Sequence, residues 1–328
     1  MKRFIQCRMI TIITIFISSM FLQFVQAEAR RPECIVPAKR GGGLDMTCKL
    51  VQSSFEETEL IMRPIRLVYM PGKIGATAYD FFTTDRNDDV NTVIAFSTGT
   101  LLSIAQGKYG QHDEHDVRWL AAIGIDYGAL FVRADSPLKN LKDFVEALQN
   151  HPQSVLIGVE GAEGNQDWMQ VALLSKSGQY DAKKITYRSF EGGGDIIESL
   201  FHKKIQVMSS SLSEMMPYMD SGDIRVLAVF SEEDIGELYN IPTAKSQGYD
   251  VVWPVVRGVY VGPNVTESDY QWWKSKFDAL LINKEFDGLR AQYDMLPFAL
   301  TGNGLDQYID EQVHYLRGLS EEFDLVEQ

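Results

Sequence analysis

The residues of this 328-residue chain best suited to chemistry are small and polar, and they gather in four glycine-rich segments. These are Pro37-Ala38-Lys39-Arg40-Gly41-Gly42-Gly43-Leu44-Asp45; Phe96-Ser97-Thr98-Gly99-Thr100; Gly158-Val159-Glu160-Gly161-Ala162-Glu163-Gly164-Asn165-Gln166; and Phe190-Glu191-Gly192-Gly193-Gly194-Asp195. Each follows an apolar run of strand length and opens a helical pattern. Glycine lets backbone N–H groups approach a ligand closely, and a helix N-terminus adds partial positive charge. In open α/β sheets, ligands bind beyond the carboxyl ends of the strands. Four such loops, two from each half of the fold, describe two facing claws around a small anion. Within the first loop, Asp45 would repel a carboxylate at contact distance and is better suited to accepting hydrogen bonds from loop amides.

Other chemistries find little support. No segment has the G-x-G-x-x-G nucleotide spacing or the Gly-Lys-Ser/Thr phosphate loop. There is no G-x-S-x-G elbow, no H-E-x-x-H and no paired-cysteine metal spacing. His112 and His115 stand among Asp113, Glu114 and Asp116, a pattern that reads as a solvated acidic turn. Ser209, Ser210 and Ser211 end a strand without a histidine motif nearby, and read as cleft or helix-cap residues rather than nucleophiles. Neither a metal nor a cofactor is expected, and no catalytic set emerges.

The elements that must position these loops alternate strand and helix. Strands are expected over 34–36, 65–69, 92–96, 119–125, 129–132, 155–157, 185–190, 205–208, 224–230, 250–253 and 257–261. Helices are expected over 45–60, 74–84, 98–106, 140–150 with Asn140 as its cap, 164–176, 194–202, 267–281, 284–293 and 304–324. Such alternation predicts mainly parallel sheets flanked by helices. About 300 residues exceed what one core usually serves, which predicts two lobes. Crossings between them are expected near 126–133 and 227–231, so one lobe takes residues 28–127 plus 229–328 and the other 128–228.

The N-terminus predicts export. Lys2, Arg3 and Arg8 precede an apolar run over 9–25, and Val25-Gln26-Ala27 fits a cleavage site, so residues 1–27 read as a signal peptide. Its loss removes three basic residues and no acid, taking the formal charge from −14 to −17. A chain so acidic does not hold nucleic acid or anionic membranes non-specifically, and any anion site must be built locally. Cys34 and Cys48 then remain, either bonded or as two free thiols, and an oxidising compartment favours the bond.

At the loops the chain resembles a known family. The stretches ECIVPAKRGGGLDMTCKL (33–50), VYMPGKIGATAY (68–79), DVRWLAAIGIDYGALFVRADSPLKNLKD (116–143) and IPTAKSQGYDVVWPVVRGVYVGP (241–263) are similar to the substrate-binding proteins of tripartite tricarboxylate transporters, within the Bug-type periplasmic receptors. The Cys34/Cys48 pair and Trp253-Pro254 resemble the tricarboxylate branch. The resemblance implies a type II periplasmic binding fold, α/β and two-lobed, with crossover strands. It implies a non-enzymatic monomeric receptor for a small carboxylate, such as citrate or another tricarboxylate, delivered to the membrane subunits of such a transporter. A co-receptor presenting the ligand to a sensor kinase is the alternative. By position, the implied contacts are Gly42, Gly43, Asp45, Ser97 and Thr98, facing Gly161, Asn165, Gln166, Gly192 and Gly193, with Arg257 as an additional charge. The family often carries a small hydroxyl residue near Asn165 and a histidine near Asp167; this chain has neither.

Overall fold

The computed structural model describes residues 31–190, 193–235 and 241–327; the expected leader over 1–27 and Gly192 lie outside them. Among the described residues there are ten strands: β1 (Glu33–Val36), β2 (Arg66–Tyr69), β3 (Thr92–Ser97), β4 (Arg118–Arg133), β5 (Ile157–Glu160), β6 (Tyr187–Phe190), β7 (Val207–Ser211), β8 (Ile224–Val229), β9 (Pro254–Val261) and β10 (Leu300–Thr301). Between them run the helices α1 (Gly43–Thr58), α2 (Ala76–Thr83), α3 (Thr98–Ala105), α4 (Leu141–Asn150), α5 (Gln166–Ser177), α6 (Gly193–Phe201), α7 (Leu212–Asp220), α8 (Glu267–Leu281), α9 (Lys284–Gln292) and α10 (Gly302–Glu322). None of the described helices is long and apolar enough to cross a membrane.

One strand organises the sheets. β4 pairs with β9 from Arg118 to Tyr127, then with β7 and β8 from Gly128 to Arg133. The strand order is β2-β1-β3-β9-β4-β7-β5-β6, with β8 and β10 also on β4; β1, β2, β3, β9 and β10 form a first sheet with the start of β4, and β5 to β8 a second with its end. The outer strands pair in parallel, β1 with β2 and β3, and β5 with β6 and β7. The long strands β4 and β9 run antiparallel to their neighbours. Every helix that follows a parallel strand therefore starts at the same end of its sheet, which gathers the glycine-rich loops.

The expected strands over 119–125 and 129–132 are one strand of sixteen residues. The polar break at Asp126 does not end it, because Asp126 is buried and hydrogen-bonded by Tyr127 N at 2.7 Å and by the Ser213 hydroxyl. Residues 250–253 are not a strand. They lead to a crossing where Phe230 N donates to Gly128 O (2.8 Å), Gly128 N to Trp253 O (3.0 Å) and Trp253 N to Phe230 O (2.7 Å). Helix α7 escapes the sequence pattern because Pro217 lies inside it. Asn140 caps α4 as expected, its side chain accepting from Asp143 N at 2.9 Å.

Burial divides into three apolar clusters. One joins Ile94, Phe96, Trp119 and Tyr260 to Leu305, Ile309 and Val313 of α10. A second packs Leu50, Val51 and Phe55 of α1 against Trp273 and Phe277 of α8. The third lies under α6 and α7, around Ile196, Leu200, Met215 and Met216.

Cys34 of β1 and Cys48 of α1 form a disulfide with a Cα–Cα distance of 5.6 Å, tying the helix to the strand on either side of the first loop. Closing a loop of this length in the unfolded chain is worth about 3 kcal/mol. The double variant C34S/C48S should therefore lose about 3 kcal/mol in urea unfolding. A change below about 0.5 kcal/mol would show that the bond does not constrain the unfolded chain.

Candidate functional site

A cleft of about 810 Å³ opens between the two groups of strand-end loops. On one side stand the β1–α1 and β3–α3 loops and the turn at Pro71, Gly72, Lys73 and Ile74; on the other, the β5–α5 loop and the starts of α6 and α7. Gly42, Gly43, Ser97, Gly161, Asn165, Gln166 and Arg257 line it.

The β1–α1 loop turns at Gly41, whose φ of +96° suits glycine. Asp45 locks that turn from behind, buried away from the cleft. It accepts from Gly41 N at 2.8 Å and the Tyr69 hydroxyl at 2.7 Å, and pairs with Lys49 Nζ at 2.8 Å. Burial works to raise its pKa, but the bonds from Lys49, Gly41 N and Tyr69 prevail and hold it below the usual value. Asp45 thus supports the loop. No side chain caps α1, so its first amides are left for whatever enters the cleft.

Gly43 is needed for a steric reason. A Cβ there would sit 1.8 Å from Arg257 Nη1, so any side chain would displace the guanidinium. Arg257 projects from β9 and is 1% exposed. Its Nη2 lies 3.0 Å from Glu214 Oε1 and 3.4 Å from Asp126 Oδ2, while its Nε has no hydrogen-bond partner among the described residues.

Ser97 faces the cleft while capping α3, accepting from Gly99 N at 3.2 Å. Thr98 turns away. Its hydroxyl donates to Pro254 O (3.1 Å) and accepts from Val256 N (3.0 Å), fastening α3 to β9. Asn165 caps α5, its Oδ1 accepting from Trp168 N at 2.9 Å. Gln166 Oε1 is buried without a partner and faces Gly99 across the cleft, 3.1 Å from where a Cβ there would stand. Gly193 begins α6, and Asp195 in its first turn lines the cleft.

The serine run ends β7. Ser209 donates to Gln170 Oε1 at 3.0 Å, Ser210 lines the cleft and Ser211 stands at the N-terminus of α7. His112 and His115 stand outside the cleft, near Asp80, Asp116 and Asp310.

Sequence reasoning did not single out the buried acids. Glu160 and Glu214 line the cleft, Asp167 lines it beneath Glu160, and Asp126 lies behind Arg257. Asp167 Oδ2 accepts from Glu160 N at 2.9 Å. Burial pushes Asp167 from 3.8 up to about 8; the charge of Glu214 adds to this, and the bond from Glu160 N opposes it. Burial also raises Asp126 and Glu214, against the lowering effect of Arg257.

Asp167 carries a consequence for stability. It keeps its proton to about pH 8 when folded, against 3.8 as the ordinary value, so the native state holds the extra proton between them. The resulting stabilisation is complete below about pH 4 and is lost as pH rises through about 8. Unfolding free energy should fall between pH 5 and 8. D167N keeps an oxygen acceptor for Glu160 N and should flatten that slope by up to about 1.4 kcal/mol per pH unit. An unchanged slope in denaturant titrations would mean that Asp167 is ionised.

Residues 93–325 match the tripartite tricarboxylate transporter family receptor, TctC. A curated relative, the UPF0065 protein in the gbd 5′ region of Cupriavidus necator, is 20% identical over 202 residues, which make up 62% of this chain and 60% of the relative. MatC from Rhodopseudomonas palustris, solved with bound malate, superposes with a TM-score of 0.76 at 18% identity, over 88% of this chain and 98% of its own. The periplasmic binding protein BugD gives 0.80 at 16% identity, over 91% and 99%. An R. palustris protein solved with adipate gives 0.79 at 16% identity, over 89% and 96%. These neighbours share the two-lobed periplasmic binding fold, and the family's members are substrate-binding proteins rather than enzymes. The chain belongs to the tripartite tricarboxylate transporter receptor family.

Proposed function

We propose that the chain is a periplasmic receptor that captures a small di- or tricarboxylate and passes it to the membrane subunits of a tripartite tricarboxylate transporter. One observation carries this reading: an uncapped helix N-terminus with a glycine-rich entry faces a second helix start, at Asn165 and Gln166, across a cleft of about 810 Å³. Main-chain amides can hold a carboxylate there without an exposed basic side chain. MatC and the R. palustris relative were solved with the dicarboxylates malate and adipate, which favours the same class of ligand. Citrate, with its third carboxyl, is the finer choice we test.

In this reading one lobe comprises residues 28–127 and 229–328 and the other 128–228. The ligand drives closure by touching both lobes, since only differential contact with the closed state can shift the equilibrium.

A thermal-shift panel of malate, adipate and citrate should raise the melting temperature. At one hundred times Kd the stabilisation is about 2.7 kcal/mol. If neither the shift nor calorimetry shows binding to any of the three, the proposal fails.

Removing a buried hydrogen-bond partner typically costs about 1–3 kcal/mol. N165A and Q166A should each lose binding energy in that range, and K39A less. T98A should lower stability and leave affinity nearly unchanged, because its hydroxyl bonds β9. An affinity loss for T98A equal to that of Q166A, at unchanged melting temperature, would place Thr98 in the site.

A further inference from the structure

The wall opposite the glycine loop holds more carboxylates than its guanidinium can balance. Arg257 is shared between Glu214 and Asp126, and Asp167 is spent on Glu160 N. Glu160, the last residue of β5, lines the cleft, yet no hydrogen bond or ion pair among the described residues reaches its carboxylate. It lies at the glycine loop itself: Oε2 and Oε1 are 3.7 and 3.9 Å from where a Cβ on Gly42 would stand. A ligand carboxylate bound to the first amides of α1 would therefore lie close to Glu160. Two ionised carboxylates cannot share that space without a cation between them.

The nearest cation, Arg257, is already shared between Glu214 and Asp126. Lys73 and Asp195 line the same cleft, and none of the described ion pairs joins Lys73 to Glu160. Arg257 is 99% buried, and its Nε, without a hydrogen-bond partner, leaves it capacity for one further acceptor.

We propose that Glu160 meets the ligand as a neutral carboxyl group, its O–H donating a hydrogen bond to a ligand carboxylate oxygen opposite the Gly42–Gly43 amides. This rests on the carboxylate reading above. A protonated side chain removes the repulsion and turns an acceptor into a donor. It also lets an acidic wall accept an anion, as long as the Glu160 proton stays in place. Burial pushes Glu160 up to about 8, the charges of Glu214 and Asp167 adding to this and Arg257 opposing it. The proton is thus already in place at neutral pH.

Titration calorimetry with malate on the whole chain, from pH 6 to 10, tests this. Wild-type affinity should hold to about pH 8 and then weaken about tenfold per pH unit, because each binding event must take up a proton. At pH 9, comparing buffers of different ionisation enthalpy should show about one proton taken up per malate. D167N, which removes the other cleft carboxyl that loses its proton near pH 8, should keep the fall above pH 8. E160Q/D167N, whose introduced amide at position 160 can still donate, should bind a few-fold more weakly than D167N at pH 7 and show a flat profile. Wild-type affinity constant to pH 10, a D167N profile that is flat, or an E160Q/D167N profile that still falls above pH 8, would overturn the proposal. So would loss of all E160Q binding at pH 7 with the circular dichroism unchanged, which would point to an ionised Glu160 accepting a hydrogen bond from the malate hydroxyl. Adipate and citrate repeat the wild-type profile if malate is too weak. If the wild type binds none of the three at any pH, the carboxylate reading fails and the Glu160 proposal with it.

Discussion

The guanidinium of Arg257 has to remain charged in a place with almost no water, and much of the site follows from that. A buried cation needs acids within reach, and here they come from two distant points in the chain, Asp126 on β4 and Glu214 on α7. Removing one member of such a group leaves an uncompensated charge, typically costing 3–5 kcal/mol. The arrangement pins the second sheet's α7 to the first sheet's β9 across the base of the cleft. It also forbids a side chain at Gly43, because the guanidinium occupies the space that one would fill. The glycine loop and the buried ion pairs are therefore one construction rather than two.

The legible part of the site was the part built from main chain. Glycine runs after apolar runs announce where amides are exposed, and Gly42, Gly43, Gly161, Asn165 and Gln166 all line the cleft. Asp45 was legible as loop support because an acid in the first turn of a helix has local amides to accept from. The acids that set the cleft's electrostatics were not legible. Glu214 and Asp126 have no motif, since their meaning lies in meeting Arg257 across long separations. Glu160 stood in plain view within a glycine-rich segment, and only three-dimensional proximity to Gly42 distinguishes it from a solvated loop acid. Thr98 is the opposite case. It sits in a loop of the right composition, but its hydroxyl is taken up by β9.

The same limits apply to the fold. Alternating apolar runs were enough to place most helices and outer strands. They failed where tertiary partners override the local pattern: at Asp126, kept in β4 by Ser213 and Arg257; at Pro217, tolerated inside α7; and at 250–253, where a single residue pairs at the crossing. The failures at Asp126 and at 250–253 lie where β4 passes from β9 to β7 and β8.

The position of β9 has a consequence for how the protein is made. β9 lies between β3 and β4, so the first sheet has a gap until residues 254–261 arrive. The strands β5 to β8, by contrast, come from one continuous stretch, of which β7 and β8 meet β4 from Gly128 onward. As the chain emerges in order, the second sheet can assemble while the first still exposes the edges of β3 and β4. Unpaired edges of that kind invite association with other chains. The earliest-made strands are thus among the last to be closed, and the late β9 is the piece that seals them.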